Sequence, residues 1–464
     1  MKKKPDYRTK DDILKQQRWE PLIGEPGLTQ ITTPQLRVVD DFLVFLEGRK
    51  IAAIWDLTKR HFIDFDVGYN SVGRLRVLKA GLSALFPRHP SVLELMAAIR
   101  EKDAAYLASR KRPKPRPRVL TKSVPESALS AFYQDAIADM CAGFDRNSVM
   151  APAAGMMSTH VMKLRQLVLS ARKAGLTEEI STESVRAYAR DLRARDLSPV
   201  TLLASFSSLL KMARYTGAEA EAITLLYELN RIYDGKAAKA PKTKYQKLQN
   251  TGYSPLALIN TASALLKAVD ELPCPRRQHA QRNGAAAIAL FSVMPVRLAD
   301  TRLTFGETIF WVDGKYTIET VLSKGGDPWG CDVDPRLNRF IEALILRGCD
   351  PAWLPDMREK ALKGRRPLFI NGNGSLVGYN YVSDAWRKTV GTGEHIARTI
   401  LHTFLGIELG MAGTGMAKAA CGQRSVGIEA EYQDDALKKV QRLKGQAEFA
   451  DIITPEERAL FEFR

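Results

Sequence analysis

The chain has 464 residues, a formal net charge of +17 and a sequence pI of about 9.6. That length allows two to four domains with ample core, and the basic surplus points to a partner with dense negative charge, nucleic acid before membrane. A membrane span, a secretory leader, a disulfide framework and a zinc site are all disfavoured: the longest apolar run, Ala285 to Val296, is too short for a bilayer, Met1-Lys2-Lys3-Lys4-Pro5 leads into polar sequence, and Cys141, Cys274, Cys331, Cys349 and Cys421 are scattered without a C-x-x-C pair. An intracellular protein without cofactor or metal is expected.

In chain order, Gln35 to Glu47 reads as a helix, Asp56-Leu57-Thr58 leads into Phe62-Ile63-Asp64-Phe65, and Ser71 opens a helix over 72–86. Residues 1–120 hold 24 Lys and Arg against 14 Asp and Glu, a surplus of 10 out of the chain's 17. Much of it sits in Arg110-Lys111-Arg112-Pro113-Lys114-Pro115-Arg116-Pro117-Arg118, where alternating prolines forbid helix and sheet pairing and favour an extended linker. Such a linker is either a solvated spacer or a strap along a phosphate backbone.

The middle of the chain reads as helical throughout. Apolar residues recur at helical spacing from Met162 to Lys173, Ser181-Thr182-Glu183 is a cap ahead of Val185, Tyr188 and Leu192, and Ser198-Pro199 opens a helix over 200–215. Thr58 matches Thr182 at an offset of 124 and Ser71 matches Ser198 at 127, the pattern of a divergent internal repeat or of two helical domains sharing cap chemistry. A second basic hinge, Lys236 to Lys244, precedes the last third.

In that last third the stretch Tyr316 to Leu322 alternates like a strand and ends in the turn-like Ser323-Lys324-Gly325-Gly326. Leu368-Phe369-Ile370, the turn Asn371-Gly372-Asn373-Gly374 and a helix over 379–390 follow, then a helical stretch from Thr399 to Leu409. Asp327, Asp332 and Asp334 flank the hairpin without a repeating ligand pattern and read as a solvated face.

Six residues stand in one order across these elements: Arg297, Lys324, His395, Arg398, Gln423 and Tyr432. Arg297 closes the apolar run, with Asp300 one turn later where it could orient the guanidinium. Lys324 is at a hairpin tip. His395 and Arg398 form an H-x-x-R pair that can share one side of a helical turn, and Gln423 lies nine positions before Tyr432. Guanidiniums, a lysine, an imidazole and a phenol suit metal-free attack on a phosphodiester, whose in-line transition state concentrates charge on the non-bridging oxygens. Taken singly, an arginine after an apolar helix is a solvated cap and a hairpin lysine is a surface charge. The joint order carries the inference.

The pattern resembles the catalytic domain of the tyrosine recombinase (phage integrase) family, over roughly Tyr253 to Gln433. The resemblance implies a mainly α protein with a small β component: helical, SAM-like core-binding domains joined to an α+β catalytic domain. It implies an N-terminal helical domain (1–109), a linker (110–118), a core-binding-like domain (119–233), a second linker (234–252) and a catalytic domain with its tail (253–464). Arg297 and Arg398 would clamp the phosphate, Lys324 would protonate the leaving 5′ oxygen, His395 would support proton transfer and Tyr432 would form a 3′-phosphotyrosyl bond. Gln423 stands where the family has His or Trp and can only position, because an amide shuttles no proton. A second register exists, because His402-Thr403-Phe404 is the sequence that often follows the family's arginine. It would put Arg398 in the histidine's place and Leu401 in the arginine's. The first register supplies both functional groups.

The activity so implied is site-specific recombination or integration on double-stranded DNA. The protein would act as a homo-oligomer, a tetramer, alone or with other recombinases, in the cytoplasm on the nucleoid. A type IB topoisomerase-like relaxing enzyme would use nearly the same residues, and an accessory DNA-binding protein with a decayed site would follow from the second register.

Overall fold

The computed structural model describes residues 8–51, 54–69, 71–109, 121–240 and 254–423. The chain is mainly α with one three-stranded sheet among these residues. It divides into two compact units, one made of 1–111 with 244–464 and the other of 112–243.

The N-terminal helices of the first unit are α1 (Lys10–Leu14), α2 (Gly27–Gln30), α3 (Thr33–Gly48), α4 (Lys59–Phe65), α5 (Gly73–Leu85) and α6 (Ser91–Ser109). Helices α3 and α4 both start on a threonine, Thr32 and Thr58, in capping boxes closed by Gln35 and His61, which satisfy orphan N–H groups at each start. Leu36, Val39, Phe42, Phe62, Leu75, Leu78 and Leu82 form their core. The fully buried Asp40 is held by Arg8 and accepts the Trp19 indole N–H at 2.9 Å, so its charge is paired where water is excluded.

These helices pack against the C-terminal part of the same unit. The Asp350 N–H donates to the Arg88 carbonyl at 3.1 Å, the His89 ring meets Trp353 edge-on at 4.6 Å, and Glu94 pairs with Lys360 at 3.2 Å. Leu93 reaches into the C-terminal core.

The second unit holds α7 (Ala131–Ala142), α8 (Ala154–Lys173), α9 (Thr182–Ala194), α10 (Pro199–Thr216) and α11 (Ala220–Lys239). Ser181 caps α9 in a capping box with Ser184, and Ser198 caps α10 ahead of Pro199. The cap of α9 is thus Ser181 and not Thr182, and α5 is preceded by Val72 and not Ser71, so the matched residues do not play matching parts. Part of the packing nevertheless runs in the same order in the two sets: α3 with α5, α4 with α6 and α5 with α6, against α8 with α10, α9 with α11 and α10 with α11, although α8 also packs on α9 without a comparable α3–α4 pair.

The C-terminal region is built around α13 (Pro275–Val293), which follows α12 (Pro255–Lys267). Every residue from Ala285 to Phe291 is buried, because other elements surround the helix; among them α12, α14 (Asn338–Leu346), α16 (Tyr381–Val390) and α17 (Ile396–Ala420) touch it. Strands β1 (Ile309–Val312), β2 (Lys315–Val321) and β3 (Pro328–Asp332) form an antiparallel sheet in the order β1-β2-β3, with Ile309 opposite Ile318 and Val321 opposite Pro328. Asp332 is paired with Lys315 and Asp334 with Arg336, so these carboxylates serve local ion pairs. α15 (Leu354–Lys363) lies between α14 and the buried Leu368-Phe369-Ile370.

α17 starts three residues earlier than its periodicity indicates and is broken at Gly410, whose φ of 59° is a left-handed conformation suited to glycine. Beyond it the chain folds back, bringing Ala417 and Cys421 onto Leu401. Gly413 makes this possible, because a Cβ there would lie 1.9 Å from the Leu405 carbonyl oxygen. Gly413→Ala should therefore destabilise the chain by about 1–3 kcal/mol, the usual cost of overpacking. A denaturant midpoint equal to that of the wild type would show that the two legs are not in contact.

Candidate active site

A cleft of about 490 Å³ gathers side chains from three separated segments: Arg297 to Ala299, Tyr379 with Ser383, and Glu394 with His395 and Arg398. Each reaches it for a local reason. Arg297 stands in extended conformation just beyond α13, where the helix ends and a short 3-10 turn, Leu298–Thr301, begins. Its Nη1 is buried without a hydrogen-bond partner among the described residues. His395 immediately precedes α17 and Arg398 is in its first turn, so an i, i+3 spacing turns both to the cleft.

Arg398 is only 7% exposed, and its Nη2 donates to the Cys421 carbonyl at 2.9 Å. The arginine is thereby tied to the backbone that leads into Gly422 and Gln423. Cys421 itself is no candidate nucleophile: burial pushes its thiol up to about 12, although Arg398 and Arg297 oppose the shift.

Asp300 does a different job from the one its spacing indicates. Instead of a bond to the Arg297 guanidinium, its Oδ1 accepts the Ser323 N–H at 2.7 Å. The arginine turn is therefore joined to the base of the β2–β3 hairpin. The same hairpin is held from the other side, where Trp329 donates its indole N–H to the Ala419 carbonyl at 3.2 Å. A Cβ on Gly422 would lie 2.3 Å from Leu322 Cδ1, so glycine lets the end of α17 sit directly on the hairpin. Lys324 is exposed at the hairpin tip, outside the lining of the cleft.

Gln423 is also outside that lining. Its Oε1 accepts the Nε2–H of the fully buried His402 at 2.9 Å, which fixes the side chain. Leu401 is buried against Ala417 and Cys421 and does not line the cleft. Tyr432 lies outside the described residues.

Two groups at the cleft are not legible as site residues from spacing. Tyr379 lies ahead of α16, half exposed, with the Arg302 guanidinium 5.1 Å from its ring centre. Tyr381, two residues on, is taken up by structure: its hydroxyl accepts from Asn283 at 3.0 Å, and burial raises its pKa. The second group is Glu394, whose position next to His395 was its only signal.

Glu394 is 2% exposed and has an oxygen without a partner among the described residues. Burial lifts its carboxyl to about 7, with Asp300 reinforcing the shift and Arg398 opposing it. A carboxyl raised in this way keeps its proton well above the ordinary carboxylate range, which limits repulsion of an anionic substrate. The folded chain thus holds this proton up to about pH 7, while the unfolded chain loses it near 4.3. Stability should therefore fall as pH rises between those values, by on the order of 3 kcal/mol in total. Glu394→Gln keeps the shape without the charge, so its unfolding temperature should exceed the wild type's at pH 8 and converge with it toward pH 5. A gap independent of pH would show that Glu394 is not the titrating group.

Neither a family model nor a curated protein matches the sequence. Among solved structures, the chain is similar to the XerH site-specific recombinase bound to palindromic difH substrate, a post-cleavage complex, at 15% identity and a TM-score of 0.34 over 69% of this chain and 95% of that one. It is also similar to the XerH pre-cleavage complex with difH substrate, at 15% identity and a TM-score of 0.30 over 90% of this chain and 96% of that one. What the cleft can do chemically follows from its own side chains.

Proposed function

We propose that the chain is a site-specific DNA recombinase or integrase that cuts and rejoins strands through a 3′-phosphotyrosyl intermediate. One observation carries this: Arg297, His395 and Arg398, from segments a hundred residues apart, line one cleft, and a buried Arg297 N–H has no partner among the described residues. A buried guanidinium donor without an acceptor is costly, and a phosphate oxygen is the acceptor that would relieve it.

In this reaction the Tyr432 oxygen attacks phosphorus in line. The phenol proton passes to His395, the bond to the 5′ oxygen breaks, and Lys324 gives that oxygen a proton. Arg297 and Arg398 neutralise charge on the non-bridging oxygens, and the Gln423 amide positions. Bond energy is stored in the phosphotyrosine, so resealing needs no nucleotide cofactor. The links from Asp300 to Ser323 and from Trp329 to Ala419 make the lysine hairpin, the Arg297 turn and the end of α17 one mechanical assembly. The register with Arg398 as second arginine is supported by its place on the cleft and by the burial of Leu401 away from it.

The partner is double-stranded DNA, bound by a tetramer, and the work is done in the cytoplasm on the nucleoid. No helix among the described residues is long and apolar enough to cross a membrane. In this reading 253–464 is catalytic, 119–233 is core-binding and 1–109 supplies DNA affinity. A nicked duplex incubated with the full chain in excess chelator should yield a covalent complex that survives denaturing electrophoresis. DNA binding without any such complex would favour an accessory protein with the same fold, and relaxation of supercoils without exchange would favour a topoisomerase-like enzyme.

A further inference from the structure

A second concentration of positive charge lies away from this cleft, where α5 and α6 meet the C-terminal region. A cavity of about 370 Å³ there is lined by Arg88, Arg100, Arg282 and Arg347, with Asp270 the one carboxylate among its lining residues. Four elements supply the arginines: the turn after α5, α6, the first half of α13 and the end of α14. His89, His279, Ser83 and Gln278 add neutral polar groups to the lining. No residue is shared with the lining of the candidate active site. Arg282 to Val293 alone spans roughly 16 Å of helix axis.

The charges do not balance. Asp270 takes Arg282 at 3.3 Å and Arg88 at 3.6 Å. Arg100 has no ion pair among the described residues, and Arg347 donates only to the Gly372 carbonyl at 3.3 Å, with its Nε buried and unpartnered. Burial disfavours the charged forms of Arg100, Arg282 and Arg347, and Arg100 and Arg347 repel one another across the space. His279 donates to the Ile370 carbonyl at 2.7 Å, so its other ring nitrogen faces a cationic neighbourhood.

The backbone points the same way. Arg88 and Arg347 have φ of 59° and 54°, left-handed conformations that cost a non-glycine residue roughly 1–2 kcal/mol. Two strained arginines converge on one cavity whose volume falls within the roughly 300–1,000 Å³ usual for small ligands.

We propose that this cavity binds a small polyphosphate anion, of the pyrophosphate or triphosphate class, which clamps the N-terminal helices onto the C-terminal region. A guanidinium presents paired donors that match phosphoryl oxygens, and several arginines from two walls suit more than one phosphoryl group. The anion would supply the missing counter-charge and add cross-links between α6 and α13. The same chemistry could be satisfied by phosphates of a DNA backbone, which the experiment separates.

Calorimetric titration of the full chain with sodium tripolyphosphate at low salt should reveal a saturable site. Its affinity should drop at least tenfold in Arg100→Gln and in Arg347→Gln, while persisting in Arg297→Gln. Arg100 is half-buried on α6, and an unchanged helical signal and unfolding temperature in its variant would exclude misfolding if Arg347→Gln fails to fold. Hydrogen exchange across α6 should slow on binding in the wild type. The proposal is overturned by absence of saturable binding, or by binding that Arg297→Gln abolishes and Arg100→Gln preserves. It is also overturned if tripolyphosphate fails to bind while Arg100→Gln lowers the slope of log duplex affinity against log salt by about 0.9, because the cavity would then serve a DNA phosphate.

Discussion

Arg398→Ala is expected to lower strand cleavage by on the order of 10² or more, the scale on which loss of a transition-state donor acts. Duplex binding should change far less, because it is spread over many phosphate contacts. The residue has two tasks in the structure: its guanidinium lines the cleft, and its Nη2 holds the Cys421 carbonyl. Arg398→Lys keeps a charge but loses the planar fork, so it should recover little activity. Leu401→Arg should give no gain, since Leu401 is 5% exposed against Ala417 and Cys421 and a guanidinium forced there would be buried without a partner. An Arg398→Ala protein that cleaves at the wild-type rate would show that Arg398 is not the second phosphate-clamping arginine.

The second large effect is expected at the nucleophile. Tyr432→Phe should abolish the covalent complex and leave binding close to the wild type, since one hydroxyl adds little to a charge-dominated interface. Tyr379→Phe is the necessary partner experiment, because Tyr379 borders the cleft with Arg297, His395 and Arg398. It should keep the covalent complex. A free phenol has a pKa near 10, so whichever tyrosine attacks needs its proton taken up as the bond forms. His395, on the cleft, is the acceptor assigned here.

Much of this arrangement was legible in the sequence, for identifiable reasons. The apolar run Ala285 to Val296 marked the segment that Arg297 closes, the alternation from Tyr316 to Leu322 announced a strand, and Ser323-Lys324-Gly325-Gly326 announced its turn. What escaped were contacts between distant segments. Asp300 accepts from Ser323, 23 residues away, and no local spacing reveals that partner. Glu394 matters because it is buried between Arg398 and Asp300, and burial of a charged residue runs against every compositional expectation. The expected helix ends at Leu409, next to the break at Gly410, but the return of the following leg onto Leu401 is a tertiary contact that local spacing does not carry. The pairing of Glu94 on α6 with Lys360 joins segments some 250 residues apart, with the second compact unit between them in sequence.

The most direct measurement is to trap the full chain on a nicked duplex, digest the complex and identify the linked peptide by mass spectrometry, together with the DNA end it carries. The expected result is a phosphotyrosine at Tyr432 joined to the 3′ side of the break, with a free 5′ hydroxyl opposite. Linkage at Tyr379, linkage to the 5′ side, or stable DNA binding with no linked peptide would contradict it.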